Sequence, residues 1–148
     1  LESGAVYKPH KNRHYERRMR AGIEEGGNPI LATGRVGTRA LVRHLRDGGI
    51  ISILLDEKFA EGVRIPFLGI DALTSLSAAQ LALKYDLPMI PAYGTRIDDK
   101  NEFHVEFESP IPHTDSITMT RTFNDSLSKK IMSKPEQWYW MLKRWDGA

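Results

Sequence analysis

The chain has 148 residues, enough for one domain with a real core, and 41% hydrophobic with 27% charged content is ordinary for a folded globule. It has no cysteine, which excludes disulfides, thiolate metal sites and a cysteine nucleophile. The net charge is only +2, yet residues 8 to 46 carry ten Lys or Arg against Glu16, Glu24 and Glu25, an excess of +7 that suits phosphate groups, nucleic acid or an anionic membrane surface.

In chain order, "GAVYKP" reads as a short strand closed by Pro9. Asn12 is placed to cap a helix over "RHYERRMRAGIEEGG", with Tyr15, Met19 and Ile23 on one face and Gly26-Gly27 as the stop. "PILAT" is a short strand and "GTRALVRHLRDGG" a helix on which Arg39, Arg43 and Arg46 recur at i, i+4 and i+7. "IISILL" is a continuous apolar run, expected to be a buried parallel strand. "DEKFAEG" is a loop, "VRIPF" a short strand, and "LTSLSAAQLALKYD" a helix rich in small residues. "LPMIPAYGTR" is expected to be a second buried strand, and "EFHVEFE" alternates like an antiparallel strand. "DSITMTRTFNDSLSKKIMSK" is an amphipathic helix capped by Asp115 or Ser116, with Phe123, Leu127 and Ile131 on one face. Ser133 and Glu136 have capping-box spacing, so a terminal helix is expected from Lys134 to Trp145. It would carry Trp138, Met141, Leu142 and Trp145 as an apolar stripe. Such a helix would dock on the core or lie near lipid headgroups, and the two are compatible.

Strands alternating with helices predict one α/β domain over 1–148, with a mainly parallel central sheet flanked by helices and an antiparallel edge strand. No G-x-G-x-x-G, P-loop or G-x-S-x-G pattern is present, and His10, His14, His44, His104 and His113 lack metal-site spacing, so no metal or cofactor is expected. Asp56, Glu57 and Lys58 follow a buried strand, and Arg96 ends another. In open α/β sheets such strand ends are where ligands bind, although Asp56 serves equally as a cap or loop ion pair.

Several stretches together resemble one family. They are Asp56, Gly62, Pro66-Phe67, Gly69, Thr74, Ala78-Ala79, Pro88 to Pro91, Arg96, and Pro135 to Trp138 with Trp140, Arg144 and Trp145. The early "AVYKPHKNRHYERRMR" belongs with them. The chain resembles the bacterial lipid A biosynthesis acyltransferases, the lauroyl and myristoyl transferases of the lysophospholipid acyltransferase superfamily. The resemblance implies a glycerolipid-acyltransferase-like fold. It also implies transfer of an acyl chain from an acyl carrier protein thioester to a phosphorylated glycolipid at the cytoplasmic face of the bacterial inner membrane. On that resemblance Arg17, Arg20, Arg39 and Arg96 are expected to bind substrate phosphates, Asp56 and Lys58 to shape the pocket, and Trp138, Trp140 and Trp145 to lie near the membrane. The family's H-x4-D/E motif is not found at any of the five histidines. No catalytic residue is therefore assigned, and the chain is expected to be an inactive carboxy-terminal portion, incomplete on its amino-terminal side and prone to self-association. Departures are Glu57 where the family commonly has Gln, and Leu142 where it has His. A related transferase acting on glycerol phosphate or glycolipid acceptors is the alternative. A basic nucleic-acid-binding module is the remote one, and no nucleic-acid partner is expected.

Overall fold

A computed structural model describes residues 3–98 and 100–145, and the chain divides into two compact units, Leu1–Leu54 and Leu55–Ala148. In the first, β1 (Ser3–Tyr7), α1 (Arg13–Glu24), β2 (Ile30–Ala32), α2 (Arg35–Arg46) and β3 (Ile50–Ser52) alternate. The three strands are parallel in the order β2-β1-β3, with Ala5 opposite Ile30 and also opposite Ser52. The chain therefore steps one way from β1 to β2 and the other way from β2 to β3. Right-handed crossovers then put α1 and α2 on opposite faces of the sheet. Asn12 caps α1 as its position suggests, its Oδ1 accepting from His14 and Tyr15 N–H. Gly37 lets α2 sit on the end of β2, because a Cβ there would overlap the Ala32 carbonyl oxygen.

In the second unit β4 (Val63–Phe67) and β5 (Ile70–Thr74) form an antiparallel hairpin. Helix α3 (Ser77–Tyr85) follows, then a second antiparallel hairpin of β6 (Ala92–Arg96) and β7 (Phe103–Phe107), then the long helix α4 (Ser116–Ser133). Asp115 is the α4 cap, accepting from the N–H groups of Ile117 and Thr118. One cluster packs Ala79, Ala82, Met89, Ile111 and Met119. The other packs Phe67, Ala72, Leu127 and Ile131, flanked by Trp138 and Trp145.

The protein is thus mixed α/β, as expected, but its parallel sheet has three strands and its other sheets are antiparallel hairpins. Four segments differ from the sequence-based expectation. "LPMIPAYGTR", expected as a second buried strand, is strand only at Ala92–Arg96, antiparallel to β7 and with none of its residues buried. "IISILL" is parallel, as expected, but forms only a three-residue edge strand, with Ile50 and Leu54 exposed. "IDALT" pairs as β5 rather than starting a helix. Leu68 and Gly69 both take positive φ (50° and 80°), the conformation of a tight hairpin turn. The expected terminal helix does not form. Ser133 ends α4 and its hydroxyl donates back to the Lys130 carbonyl. Lys134 is pushed out of the helical region ahead of Pro135, and a single 3-10 turn, Pro135–Gln137, gives way to irregular backbone. Among the described residues, no helix is long and apolar enough to cross a membrane.

Candidate functional site

The densest polar chemistry lies in the second unit, under the aromatic segment. Arg144 is fully buried. Its guanidinium donates to the Leu73 carbonyl (2.7 Å) and to Thr74 Oγ1 (2.8 Å), and lies 4.9 Å from the centre of the Phe67 ring. Burial pulls its pKa below the usual arginine value, and the negative charge of Asp56 opposes that shift. Asp56, half-buried at the start of the 56–62 loop, therefore shares a field with Arg144. Arginine suits the position because its planar fork reaches two acceptors at once.

The neighbours are equally constrained. Thr74 is buried and its hydroxyl donates to the Ala72 carbonyl while accepting from Arg144. Asn124, fully buried on α4, donates to the Pro66 carbonyl at 3.1 Å. Phe67 packs against Trp138 and Trp145, ring centres 5.6 Å away in each case. Gly62 sits where a Cβ would come 2.5 Å from the Thr74 carbonyl oxygen, so the loop closes onto β5 only with glycine. Residues scattered in sequence (Asp56, Gly62, Phe67, Thr74, Trp138, Arg144 and Trp145) thus share one locus.

Beside it runs an open apolar groove of about 710 Å³, lined by Leu68, Ile70, Met132, Trp140 and Trp145, with Ser128 and Lys129. Trp138 and Trp145 turn inward onto Phe67, whereas Trp140 stays half exposed beside Tyr139 and Met141. The Trp140 indole N–H donates to the Pro135 carbonyl.

The arginines read from the sequence are not gathered at this locus. Arg96 is exposed but engaged: it donates to the Lys100 carbonyl and Asn101 Oδ1, and its guanidinium lies 4.7 Å from the Phe103 ring centre. Its backbone N–H and C=O are both taken by the Gln137 side chain. In the first unit, Arg17 and Arg20 are exposed on α1, and Arg20 pairs with Glu24 at 2.8 Å. Arg39, on α2, instead groups with Arg43 and Arg46 around a shallow cleft bordered by Asp47. Lys58 is exposed in its loop. Among the described residues, no group of three or more His, Asp or Glu is placed to hold a metal ion.

Tyr7 and Asn12 of the early motif anchor the backbone. Tyr7 Oη donates to Glu16 at 2.7 Å, and the His10 N–H donates to the same carboxylate at 2.6 Å. These two bonds hold the Glu16 carboxyl below its usual pKa, the backbone bond being the larger cause. Sequence reasoning missed the buried roles of Arg144 and Asn124. A signal for Asn124 existed, since it lies on the α4 face that carries Leu127 and Ile131. Arg144 is marked only by its place in the terminal motif, and its burial is a tertiary outcome.

The family model for the bacterial lipid A biosynthesis acyltransferase matches residues 2–146. Among curated proteins, none matches the chain.

Proposed function

From the premise that the chain belongs to the bacterial lipid A biosynthesis acyltransferase family, we propose that it serves the transfer of a fatty acyl chain from acyl carrier protein to a phosphorylated lipid A precursor. The reaction is placed at the cytoplasmic face of the bacterial inner membrane, on a glycerolipid-acyltransferase-like frame. Acyl transfer and the existence of an acyl donor and a lipid acceptor follow from the family. The carrier protein, the phosphorylated acceptor and the membrane face are the proposal. In that reaction an acceptor hydroxyl attacks the thioester carbonyl, the C–S bond breaks, and the thiol leaves with the proton. The base for that proton is a His-acid pair in the family. None of the five histidines here has an acid five positions on, so these 148 residues contribute binding and framework rather than the base.

One observation supports the reading above the others. Seven of the residues that carry the family resemblance (Asp56, Gly62, Phe67, Thr74, Trp138, Arg144 and Trp145) share one locus, where buried Arg144 ties the aromatic segment to β5 beside an apolar groove. The groove offers an edge of Ile70, Met132 and Trp140 to acyl chains or the bilayer boundary, with Lys129 at its rim. Arg17, Arg20 and Arg39 are assigned to anionic groups of acceptor or carrier. The exposed Arg20–Glu24 pair holds Arg20 only weakly. Asp56 and Lys58 shape the loop beside the locus.

The test is titration of the chain with the phosphorylated glycolipid acceptor in mixed micelles, against the same lipid stripped of phosphate. Saturable binding that prefers the phosphorylated form, weakened about tenfold by a charged-bond loss in R17A, R20A or R39A, is expected. Equal binding of both lipids, or three variants that bind like the parent, overturns the assignment. Transfer from the acyl thioester by the chain alone, lost on mutation within it, overturns the framework role. Product analysis with glycerol phosphate acceptors separates the alternative transferase.

A further inference from the structure

Strand β7 presents an open, self-complementary edge, and we propose that it pairs antiparallel with β7 of a second copy of this chain, about a twofold axis at Val105. The proposal stands independently of the acyl-transfer reading.

Consider first the backbone. Among the described residues β7 has β6 as its one sheet neighbour. Glu108 N–H donates to the Pro91 carbonyl and Ile97 N–H to the Glu102 carbonyl. Hydrogen-bonded pairs alternate along an antiparallel ladder, so Tyr93 with Glu106 and Thr95 with His104 are the bonded pairs between. The N–H and C=O groups of Phe103, Val105 and Phe107 therefore point away from β6. By the same alternation Arg96 points outward on the opposite edge, and there its N–H and C=O are capped by Gln137. One edge of the hairpin is closed at its end and the other is not.

Side chains point the same way. Every residue of β7 is exposed, and Phe103 (55%), Val105 (55%) and Phe107 (69%) form one apolar row. The strand holds no proline, lysine or bulge, the usual guards of a free edge. Phe-His-Val-Glu-Phe is also nearly palindromic. A twofold axis at Val105 sets Val105 against its own copy and Phe103 against the partner's Phe107, all three outward-facing positions, so each such pair exchanges two backbone bonds. It also sets His104 beside the partner's Glu106, whose carboxylate keeps its own-chain pair with Lys130, 2.7 Å in this structure. A pairing offset by one residue would set outward N–H groups against positions whose carbonyls point the wrong way, and of the registers that remain, the axis at Val105 pairs all five residues of the strand.

Cysteine chemistry reads the register, because the chain has none of its own. Under an added oxidant V105C is expected to give a covalent dimer, since paired Cα atoms about 5.5 Å apart suit a disulfide. F103C alone is expected to stay uncrosslinked, and F103C/F107C together to crosslink. In sedimentation without oxidant, the parent should show dimer growing with concentration. V105P removes only an outward N–H, so it should weaken association at least tenfold while leaving the hairpin intact. V105K, which charges the same exposed row, should do likewise. A parent that is monomeric at every concentration overturns the proposal. So does a dimer that V105P and V105K leave unchanged and V105C fails to crosslink.

Discussion

The two units are held by different means. In the first, buried apolar side chains are few (Ile30, Leu31 and Leu41), and α1 buries none of its residues. Its order comes from a short parallel ladder, from caps such as Asn12, and from backbone approaches that only glycine permits, as at Gly37 against Ala32. In the second, side chains dominate: two apolar clusters, a buried asparagine and a buried arginine. A small parallel unit built on backbone contact tolerates changes of exposed side chains but not of a glycine. A unit built on side-chain packing has the opposite sensitivity.

Substitutions can break that comparison. R144A is expected to have the largest effect. It removes the donors to Leu73 and Thr74, leaves a cavity beside Phe67 and takes away the positive charge in the field of Asp56, at a cost of about 4 kcal/mol. Chemical denaturation, with amide exchange followed separately in residues 3–54 and 55–145, should place the loss in the second unit. R144K should recover part of it, since an ammonium cannot reproduce the two-pronged contact. Full protection in R144A would mean that the aromatic segment is not anchored through this residue.

The next effect belongs to the first unit. G37A places a methyl on the Ala32 carbonyl and should cost about 1–3 kcal/mol, the range of forced overpacking. Exchange should rise in residues 3–54 while the β4–β5 hairpin stays protected. An unchanged first unit would show that α2 is free to slide along the sheet.

The smallest effect sharpens the comparison through the caps. D115A should lower the second unit's stability by a small, measurable amount, the ordinary effect of losing a helix cap. The Asp115 carboxyl is held below its usual value by the Thr118 hydroxyl, and Glu16 by its bonds to His10 and Tyr7. For a carboxylate whose folded pKa is depressed, the stabilisation is present above its unfolded pKa and fades as pH falls through the folded one. Both units should therefore weaken on acidification below the ordinary carboxylate range. D115A should reduce that pH dependence in the second unit, where Glu106, held down by Lys130, retains part of it, and leave it in the first. An unaltered profile would remove Asp115 from the acid response.

Local signals were legible and tertiary ones were not. Asn12, and Asp115 or Ser116, stand where caps are expected, and Asn12 and Asp115 are the caps, because a short side chain satisfies N–H groups two or three residues on. The strand at Phe103–Phe107 announced itself by alternation, and it is antiparallel. The segment after Ser133 misled because capping-box spacing and an apolar stripe are compatible with helix. Pro135 there ends one helix rather than starting another. β5 was hidden because Leu68 stands at a left-handed turn position where Asn or Gly is the usual marker. Asp56 was singled out from its position after a strand and does lie in the field of Arg144. That a guanidinium would be its neighbour depends on residues 88 positions apart in the chain, which no local pattern encodes.

All three tryptophans lie between Trp138 and Trp145, with Trp138 in edge contact with both others, at 4.8 Å from Trp140 and 6.1 Å from Trp145. Indole emission from this chain is therefore an optical probe of a single place. It reports the seam between the aromatic segment and Phe67, and the Leu1–Leu54 unit holds no tryptophan. Ring pairs this close also couple their electronic transitions, so the near-ultraviolet dichroism should carry a split band that vanishes when the seam parts. A melting curve followed by fluorescence and one followed by far-ultraviolet dichroism would then separate wherever the two units lose structure at different temperatures.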